Sequence, residues 1–355
     1  MSKKIVFLYI KRCELNLTNL RDLTFEELEN LIVSSGEKKF RTSQVFSWLH
    51  KGVRSFDEMT NIPNSLKNSL KSGYYVSSPK IVKKLESKID KTKKYLFELH
   101  DGNMVESVVM YYKHGITICV SSQVGCAMGC RFCASTIGGL VRSLTPGEIL
   151  DQIIFASRDI GERISNVVMM GIGEPLANFE NVCKFLNIVN DERGINIGYR
   201  HISLSTCGIV PKIHELAKLN IPITLSISLH ACEDSVRSSI MPVNNTYNIS
   251  ELLDACRSYQ KITGRRISFE YAIIKGVNDT DAHAAKLASI LTGILCHVNI
   301  IPVNKVEENS FEKPDTQRIK SFISVIEKNG ITATVRRKLG SDINASCGQL
   351  RKNNL

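Results

Sequence analysis

The spacing of apolar residues changes along the chain from helical to alternating, and then to a repeated order of strand and helix. In residues 16 to 75 apolar positions recur three or four apart, as in Asp22–Val33 with Thr24 as the cap and in Thr42–His50. This spacing predicts a small helical module. Residues 79 to 113 alternate apolar and polar positions around Asp101-Gly102, which predicts a β-meander.

From residue 115 strand-like runs are each followed by an amphipathic stretch, such as Thr145–Ile154. The candidate strands are residues 115–121, 166–171, 201–205, 223–229, 267–274 and 297–302. This alternation predicts a parallel sheet with outer helices, and six units fall short of the eight that close a complete barrel. A last helix near 314–329 and a strand at 332–336 precede a tail that contains Cys347.

The fold class that these patterns predict is α/β, with a partial barrel of six βα units. We divide the chain into an N-terminal helical module, a β-meander linker, the barrel, and a C-terminal strand with its tail. The boundaries are residues 1–75, 76–114, 115–330 and 331–355.

Composition narrows the class of protein. The 355 residues are 43% hydrophobic and 23% charged, which suits one large globular domain with small additions. No apolar run is long enough to span a bilayer, and Met1–Lys11 has no cleavage site for secretion, so we expect a cytoplasmic protein without membrane contact. Eleven cysteines, an odd number, argue against a disulfide scaffold and favour metal binding or redox chemistry.

The net charge of +11 is concentrated at the two ends of the chain. Residues 1–100 hold 19 Lys and Arg against 11 Asp and Glu, and residues 331–355 hold 5 against 1. Segregated basic charge favours a polyanionic partner, with nucleic acid the first candidate. A merely solvated basic surface is the alternative.

The most informative motif is a run of three cysteines, Cys126, Cys130 and Cys133, in C-x3-C-x2-C spacing directly after a predicted strand. Three thiolates can hold three irons of a [4Fe–4S] cluster and leave the fourth iron open. A zinc site usually has a second Cys pair or histidines, and a two-cluster ferredoxin would have a fourth cysteine followed by proline. The run therefore predicts a catalytic cluster on a loop at the end of a barrel strand.

Five stretches of the sequence resemble the motifs of a known protein family. They are Cys119–Cys126 with the rest of the cysteine loop, Met170–Pro175, Leu204–Thr206 with Gly208–Pro211, Ser226–Ala231, and Arg336–Leu350. With these the chain resembles the radical SAM superfamily and, within it, the RlmN/Cfr family of RNA adenine methyltransferases, over essentially its whole length.

The resemblance implies a [4Fe–4S] cluster on the three loop cysteines and S-adenosylmethionine (SAM) bound at the open iron. The residues that it implies for SAM binding are Gly173, Glu174, Ser205, Ser228, Leu229, His230 and Asn304. Reductive cleavage of SAM gives a 5′-deoxyadenosyl radical, which suits adenine C2 and C8 because these electron-poor carbons do not attack a sulfonium methyl group. From the residues alone, a glycine-rich turn after a strand is commonplace and His230 is a buried, satisfied histidine.

The resemblance also implies roles for two further cysteines and one glutamate. Cys347 would take a methyl group from one SAM, a second SAM would supply the radical, and Cys119 would release the product through a transient disulfide with Cys347. Glu106 would accept the ring proton. From the residues alone, both cysteines are small buried hydrophobes and Glu106 is an exposed strand residue. The cations of residues 336–338 are expected to contact RNA phosphate.

Residues 133–142 are more similar to the RlmN branch, which methylates C2, than to the Cfr branch, which methylates C8 and gives ribosomal antibiotic resistance. The implied substrates are an adenine of the peptidyl-transferase loop of 23S rRNA and the adenine beside the anticodon of tRNA. The implied partners are an electron donor such as flavodoxin or ferredoxin, and we expect a monomer. Two alternatives stay open: an RNA-binding iron–sulfur redox sensor without turnover, and a radical SAM enzyme that modifies a small molecule or protein.

Overall fold

A computed structural model describes residues 17–304, 306 and 309–350 of the chain. The expected features of Met1–Lys11 lie outside these residues. Within the described part, no helix is both long and apolar enough to cross a membrane.

The N-terminal module is helical, as its apolar spacing predicts. It comprises strand β1 (Thr18–Asn19), helices α1 (Phe25–Ser34), α2 (Phe40–His50) and α3 (Asn64–Lys71), and strand β2 (Tyr74–Tyr75), which pairs with β1. Thr24 caps α1 with a complete capping box, in which its side chain accepts from the Glu27 N–H. A small core of its own, built on Leu28, Phe46 and Leu66, holds the module together.

Most of the remaining strands form one ten-stranded sheet. In chain order the strands after the module are β3 (Lys80–Glu86), β4 (Lys93–Glu98), β5 (Met104–Tyr112), β6 (Gly115–Cys119), β7 (Gln123–Gly125), β8 (Leu140–Ser143), β9 (Asn166–Met169), β10 (Ile202–Thr206), β11 (Thr224–Ser228), β12 (Ile267–Ile273), β13 (Cys296–Pro302) and β14 (Ala333–Val335). Their order in the sheet is β14-β13-β12-β11-β10-β9-β6-β5-β4-β3. The six candidate barrel strands are present within two residues of their expected bounds, and the strands from β6 onward in the sheet are parallel.

Strands β3 to β5 are the expected β-meander, and they extend the barrel sheet instead of lying apart from it. They are antiparallel, and β5 pairs with β6 in a register that sets Val108 opposite Cys119. The segment from 79 to 113 is therefore continuous with the barrel wall. Strands β7 and β8 pair separately and frame the cysteine loop.

Helices cover one face of the parallel strands. They are α4 (Pro146–Ile160), α5 (Phe179–Asn190), α6 (Val210–Leu219), α7 (Asp234–Ile240), α8 (Ile249–Thr263), α9 (Asp281–Leu291) and α10 (Thr316–Lys328). The strand residues that face them, such as Leu204, Leu225 and Phe269, are fully buried in the main core. The alternate residues of the same strands, including Ser205, Ser226 and Glu270, face the barrel interior, because successive side chains of a strand point to opposite faces.

The module is fixed to the barrel through a buried arginine. The side chain of Arg21 is fully buried; its Nη1 lies 3.1 Å from Asp151 Oδ1 on α4, and its Nε donates to the Leu49 carbonyl at 3.0 Å. A buried ion pair of this kind is costly to break on one side only, because the remaining charge loses its partner. The basic module and the barrel are therefore joined by a specific contact.

The C-terminal tail folds back over the open edge of the barrel. Leu339, Ala345 and Leu350 pack against Met110 and Cys119. The tail is also tied to the turn between β3 and β4. There the Asp342 carboxylate accepts from the Ser87 hydroxyl at 2.7 Å, and Asp90 accepts from the Gly340 N–H at 2.9 Å. These contacts hold Cys347 close to the ends of the parallel strands.

Candidate active site

The carboxyl ends of β9 to β13 open onto one cavity with about 960 Å³ of empty space, which we call the central cavity. Ten of the residues singled out from the sequence line it. They are Cys126, Cys130, Cys133, Gly173, Glu174, Ser205, Ser228, His230, Asn304 and Cys347. Neighbouring parallel strands end at the same edge of a sheet, so side chains far apart in sequence meet there.

The cysteine loop is shaped by glycines where the chain must turn. Gly125 has φ +77°, and a Cβ there would lie 1.9 Å from the Gly139 carbonyl oxygen. Glycine at 125 therefore lets the two strands of the β7–β8 hairpin approach closely. Within the loop the Cys133 N–H donates to the Cys130 carbonyl at 3.1 Å, and the Arg131 N–H donates to Ile240 at 2.9 Å, which fastens the loop to the end of α7.

The three loop thiols form a donor set that suits an iron–sulfur cluster. Burial raises the pKa of Cys126 to about 12 and also raises the pKa values of Cys130 and Cys133. Thiolates at such positions need a bound metal to offset desolvation. Among the described residues, no three His, Cys, Asp or Glu side chains converge on one metal ion. Three thiols that line one cavity can each bind one iron of a cubane cluster.

Glu174 is presented to the cavity by a tight glycine turn. Its carboxylate accepts from the Leu176 N–H at 2.9 Å and from the Cys207 N–H at 2.8 Å. Gly173 has φ +106°, and a Cβ there would lie 2.6 Å from Gln123 Cβ. The Glu174 side chain is nearly fully buried, and burial raises its pKa. Its oxygens keep lone pairs that can accept from an ammonium group.

His230 is held as a neutral hydrogen-bond donor. Burial lowers its pKa to about 3, and its Nδ1 accepts from the Ala272 N–H at 2.8 Å. The proton must then be on Nε2. The residue has φ +56°, and its ring packs edge-on against Phe132 of the cysteine loop at 4.8 Å between centroids. This non-glycine residue in the left-handed region is fixed by its neighbours, as is common in binding sites.

The remaining residues predicted to bind SAM differ in their placement. Ser205 and Ser228 are half-buried on the inner face of their strands. The Asn304 side chain donates to the Cys347 carbonyl at 3.0 Å, so it also holds the tail. Leu229 does not line the central cavity. Its side chain is fully buried in the main core, its N–H donates to Glu270 and its carbonyl accepts from Arg237 Nε.

The tail brings Cys347 directly to the cysteine loop. The Ala134 N–H donates to the Gly348 carbonyl at 2.8 Å, and the Ser135 hydroxyl donates to the Leu350 carbonyl at 2.9 Å. Cys347 is half-buried and lines the central cavity. The chain therefore places this fourth thiol beside the three loop thiols through a separate segment.

Cys119 lies under the tail, at the end of β6. It is buried, and burial, followed by the nearby Cys347 thiol, raises its pKa to about 12. All ten cysteines among the described residues are free thiols. Cys119 and Cys347 are thus neighbours in the reduced state.

Glu106 lies on the inner face of β5, outside the lining of the central cavity. Its Oε1 lies 2.8 Å from Lys94 Nζ, and both side chains are buried. Glu106 is two residues from Val108, which is paired across the strands with Cys119. It therefore belongs to the same face of the sheet as Cys119, beneath tail residue Asn344.

The position of the Arg336 side chain does not fit the expected contact with RNA phosphate. Its side chain is largely buried and turned into the barrel, where Nη1 lies 3.6 Å from Glu270 Oε2. The Cys347 thiol is the first cause of a raised Arg336 pKa. Of these three neighbouring cations, Arg337 and Lys338 are exposed and face outward.

Glu270 is a buried residue of the central cavity that sequence reasoning missed. Its carboxylate accepts from Asn299 Nδ2 at 2.7 Å and from the Ser268 hydroxyl at 3.1 Å. A signal for it exists in β12, where a glutamate occupies an inward position of an otherwise mostly apolar strand.

A partial parallel barrel with three loop thiols at its strand ends defines the class of radical SAM enzymes. Comparison with known families agrees, since residues 120–288 match the model of the Radical SAM superfamily and residues 18–76 match the Ribosomal RNA large subunit methyltransferase N-terminal domain. A radical SAM methyltransferase from Sphaerobacter thermophilus has a similar structure, with a TM-score of 0.90 and 43% identity over 95% of this chain and all of that one.

Comparison with individual protein sequences identifies the family within this superfamily. The chain is 55% identical over 337 residues to a probable dual-specificity RNA methyltransferase RlmN of Clostridium tetani (strain Massachusetts / E88), covering 95% of this chain and 97% of that protein. It is 56% identical over 333 residues to the protein of the same description in Clostridioides difficile (strain 630), covering 94% and 97%. The chain belongs to the RlmN family of radical SAM methyltransferases, whose cofactors are a [4Fe–4S] cluster and SAM.

Proposed function

We propose that this enzyme methylates C2 of adenine in two RNAs, in the peptidyl-transferase loop of 23S rRNA and beside the anticodon of tRNA. The description of its relatives as probable dual-specificity RNA methyltransferases supports the choice of RNA. The excess of Lys and Arg in residues 1–100 and the exposed cations Arg337 and Lys338 supply charge for phosphate contact.

The observation that carries the proposal is the contact between the tail and the cysteine loop. Gly348 and Leu350 are hydrogen-bonded to Ala134 and Ser135, so Cys347 is held beside the thiols proposed to bind the cluster. Held by Cys126, Cys130 and Cys133, the cluster would supply the electron for reductive cleavage of SAM, the chemistry that activates a methyl group by removal of a hydrogen atom. A methyl carrier must therefore lie within reach of SAM, and Cys347 meets this requirement.

The SAM-binding residues have distinct tasks in this proposal. Glu174 accepts from the SAM ammonium, since its oxygens are already oriented by two backbone N–H groups. His230 donates through Nε2–H, and Ser205, Ser228 and Asn304 offer polar groups around the same cavity. Leu229 contributes by holding the end of β11 through its backbone, not through its side chain.

In this proposal Cys347 carries the carbon atom of the methyl group that is transferred, and Cys119 releases it. The Cys347 sulfur takes the methyl group of one SAM by displacement, and SAM leaves as S-adenosylhomocysteine. Cleavage of a second SAM would remove one hydrogen atom from this methyl group, so that its carbon bonds to adenine C2 and the adduct radical returns one electron. After the C2 proton has left, the carbon takes up a proton as it is released and becomes a methyl group again. Cys119 attacks the Cys347 sulfur, so that a sulfur–sulfur bond forms as the sulfur–carbon bond breaks. Cys119 lies beneath the tail that carries Cys347, and the two thiols are neighbours, which supports this order.

Glu106 is proposed to accept the C2 proton. It shares the face of Cys119, but its carboxylate is paired with Lys94 and covered by the tail. The proposal therefore includes a shift of the tail that frees the carboxylate when RNA binds.

The test is an anaerobic reaction of reconstituted enzyme with a 23S rRNA transcript or tRNA, SAM and reductant, followed by nucleoside mass spectrometry. Formation of 2-methyladenosine in both RNAs supports the proposal. Formation of 8-methyladenosine would replace it with the C8 activity of the Cfr branch. A sensor without turnover is not proposed, because the chain belongs to a family of methyltransferases.

A further inference from the structure

Arg237 is a buried cation behind the wall of the central cavity. It lies on helix α7, and its side chain is fully buried. All five N–H groups of the guanidinium have acceptors. Nε donates to the Leu229 carbonyl at 3.1 Å, Nη1 to Asn244 Oδ1 at 3.0 Å and the Tyr247 carbonyl at 3.4 Å, and Nη2 to the Cys207 carbonyl at 2.7 Å and the Ser228 carbonyl at 3.2 Å.

These contacts hold together the strand ends that form the cavity. Cys207 follows β10 and Ser228 is the last residue of β11, so one side chain fixes the ends of two neighbouring strands. The same strands carry Ser205 and Ser228, which are proposed to bind SAM. Helix α7 also ends at the cysteine loop, where the Ile240 carbonyl accepts from the Arg131 N–H at 2.9 Å. The side chain is therefore placed between the SAM-binding strands and the loop.

The charge of Arg237 is not matched by a contacting carboxylate among the described residues. Its five acceptors are neutral carbonyl and amide oxygens. Asp234, on the same helix, accepts instead from the Asn244 amide at 3.0 Å and the Ile249 N–H at 2.9 Å. Arg21, which is equally buried, does have a carboxylate partner in Asp151. Because a buried cation without an anion beside it is costly, negative charge brought to the cavity would stabilise Arg237.

The cysteine loop is the part of the chain that can bring such charge. Cys207, whose carbonyl accepts from Arg237, lines the central cavity together with Cys126, Cys130 and Cys133. Burial lowers the pKa of Arg237, and the Cys207 and Cys130 thiols are the first groups that oppose this effect. Three thiolates outweigh the charge of an oxidised [4Fe–4S] core, so a cluster on the loop carries net negative charge, and reduction adds to it.

We propose that Arg237 is a positioning residue with two tasks: its hydrogen bonds fix the ends of β10 and β11 around SAM, and its charge stabilises the cluster and favours its reduction. A fixed cation near a group that takes up an electron raises the reduction potential of that group. The inference rests on the proposed cluster ligands. It goes beyond the proposed function because it assigns a task at the cluster to a side chain outside the cavity lining.

The first test measures the reduction potential of the cluster in reconstituted full-length enzyme, by anaerobic redox titration with EPR detection and without SAM or RNA. Arg237→Met removes the charge and the hydrogen bonds, whereas Arg237→Lys keeps a charge with fewer donors. At a fixed solution potential, the ratio of reduced to oxidised cluster should fall about tenfold in Arg237→Met, the order expected for one unit charge across a partly buried site. Arg237→Lys should recover most of this loss.

Arg21→Met is the matched control for loss of a buried arginine. It removes the contact of the N-terminal module with Asp151 and the Leu49 carbonyl, so it should lower the free energy of unfolding and leave the reduction potential unchanged. If Arg21→Met shifts the potential as much as Arg237→Met does, the shift reflects a loosened protein and the inference is overturned. An unaltered potential in Arg237→Met would overturn it as well.

The two tasks are separated by the KM for SAM, measured through formation of 5′-deoxyadenosine with excess reductant. Both Arg237 variants lose carbonyl contacts, so the KM should rise about fivefold in each, the order of one net hydrogen bond. An unchanged KM would exclude the first task.

Iron and sulfide per chain keep the test decisive if a variant binds its cluster poorly. Loss of the cluster in Arg237→Met with retention in Arg237→Lys would show that the charge itself is needed. Equal loss in both would exclude the second task. Failure of the unaltered enzyme to methylate RNA would overturn the proposed function, and it would leave the shift in potential between these variants unaffected.

Discussion

Gly125 gives the sharpest test of how the cysteine loop is built. A methyl group at this position would meet the Gly139 carbonyl oxygen at 1.9 Å, whereas real Cβ contacts essentially never fall below 3.0 Å. In Gly125→Ala the two strands of the β7–β8 hairpin must therefore separate by more than 1 Å. Cys126 follows directly, so its thiol moves with the strand.

The energetic cost has two parts. Alanine at φ +77° costs about 1–2 kcal/mol relative to glycine, and overpacking of a tight contact costs about 1–3 kcal/mol. Gly138→Ala is the matched control on the same loop. Gly138 has φ +83° but nothing within 4 Å of its added Cβ, so this variant bears the conformational cost alone. We expect a loss of about 2–5 kcal/mol for Gly125→Ala and about 1–2 kcal/mol for Gly138→Ala.

Two measurements check this difference. Denaturant unfolding of the apo proteins gives the change in the free energy of unfolding, and iron and sulfide per chain after anaerobic reconstitution give the cluster content. Gly138→Ala should bind a full cluster, and Gly125→Ala should bind little. If Gly125→Ala is as stable as Gly138→Ala and binds a full cluster, the close approach of the hairpin strands does not control the loop.

Four further predictions concern individual side chains. Cys119→Ala should accumulate a covalent enzyme–RNA adduct on denaturing gels, and free protein with unmodified RNA would count against its releasing role. Cys347→Ala should still form 5′-deoxyadenosine from SAM yet transfer no methyl group; continued RNA methylation would exclude it as the carrier. Arg337→Ala should reduce the slope of log K against log salt for RNA binding by about 1, and an unchanged slope would mean that it contacts no phosphate. His230 should lower the free energy of unfolding by about 1.4 kcal/mol per pH unit between about pH 6.5 and pH 3, because its folded pKa is about 3 and only the unfolded chain then binds the proton. His230→Gln should remove this contribution, and a matched change at the exposed His214 should not.

Much of the barrel was predictable because its signals are local. Strand β12 alternates a buried outward residue such as Phe269 with an inward residue such as Ser268, and α4 begins at the Thr145 capping box. The loop cysteines follow one another closely in sequence, so their common location was also evident. These features depend on neighbours along the chain.

The contacts that long-range folding creates were not predictable in the same way. Cys119 and Cys347 carry no local sign that they meet, and Lys94 is not an obvious partner for Glu106. The sequence predicts that Arg336 contacts RNA phosphate with its two neighbours, yet its side chain, directly after β14, turns inward towards Glu270. Such pairs become visible only when the order of strands in the sheet is known.

The contact between tail and loop links two reactions that are chemically separate. Displacement of the SAM methyl group by Cys347 needs no electron, whereas radical formation does. The tail is nevertheless held by Gly348 and Leu350 on loop residues Ala134 and Ser135. A loop that loses its shape must release the tail, so Gly125→Ala should lose methylation of Cys347 together with the cluster. If Cys347 were methylated normally in a variant without a cluster, the tail would not depend on the loop for its position.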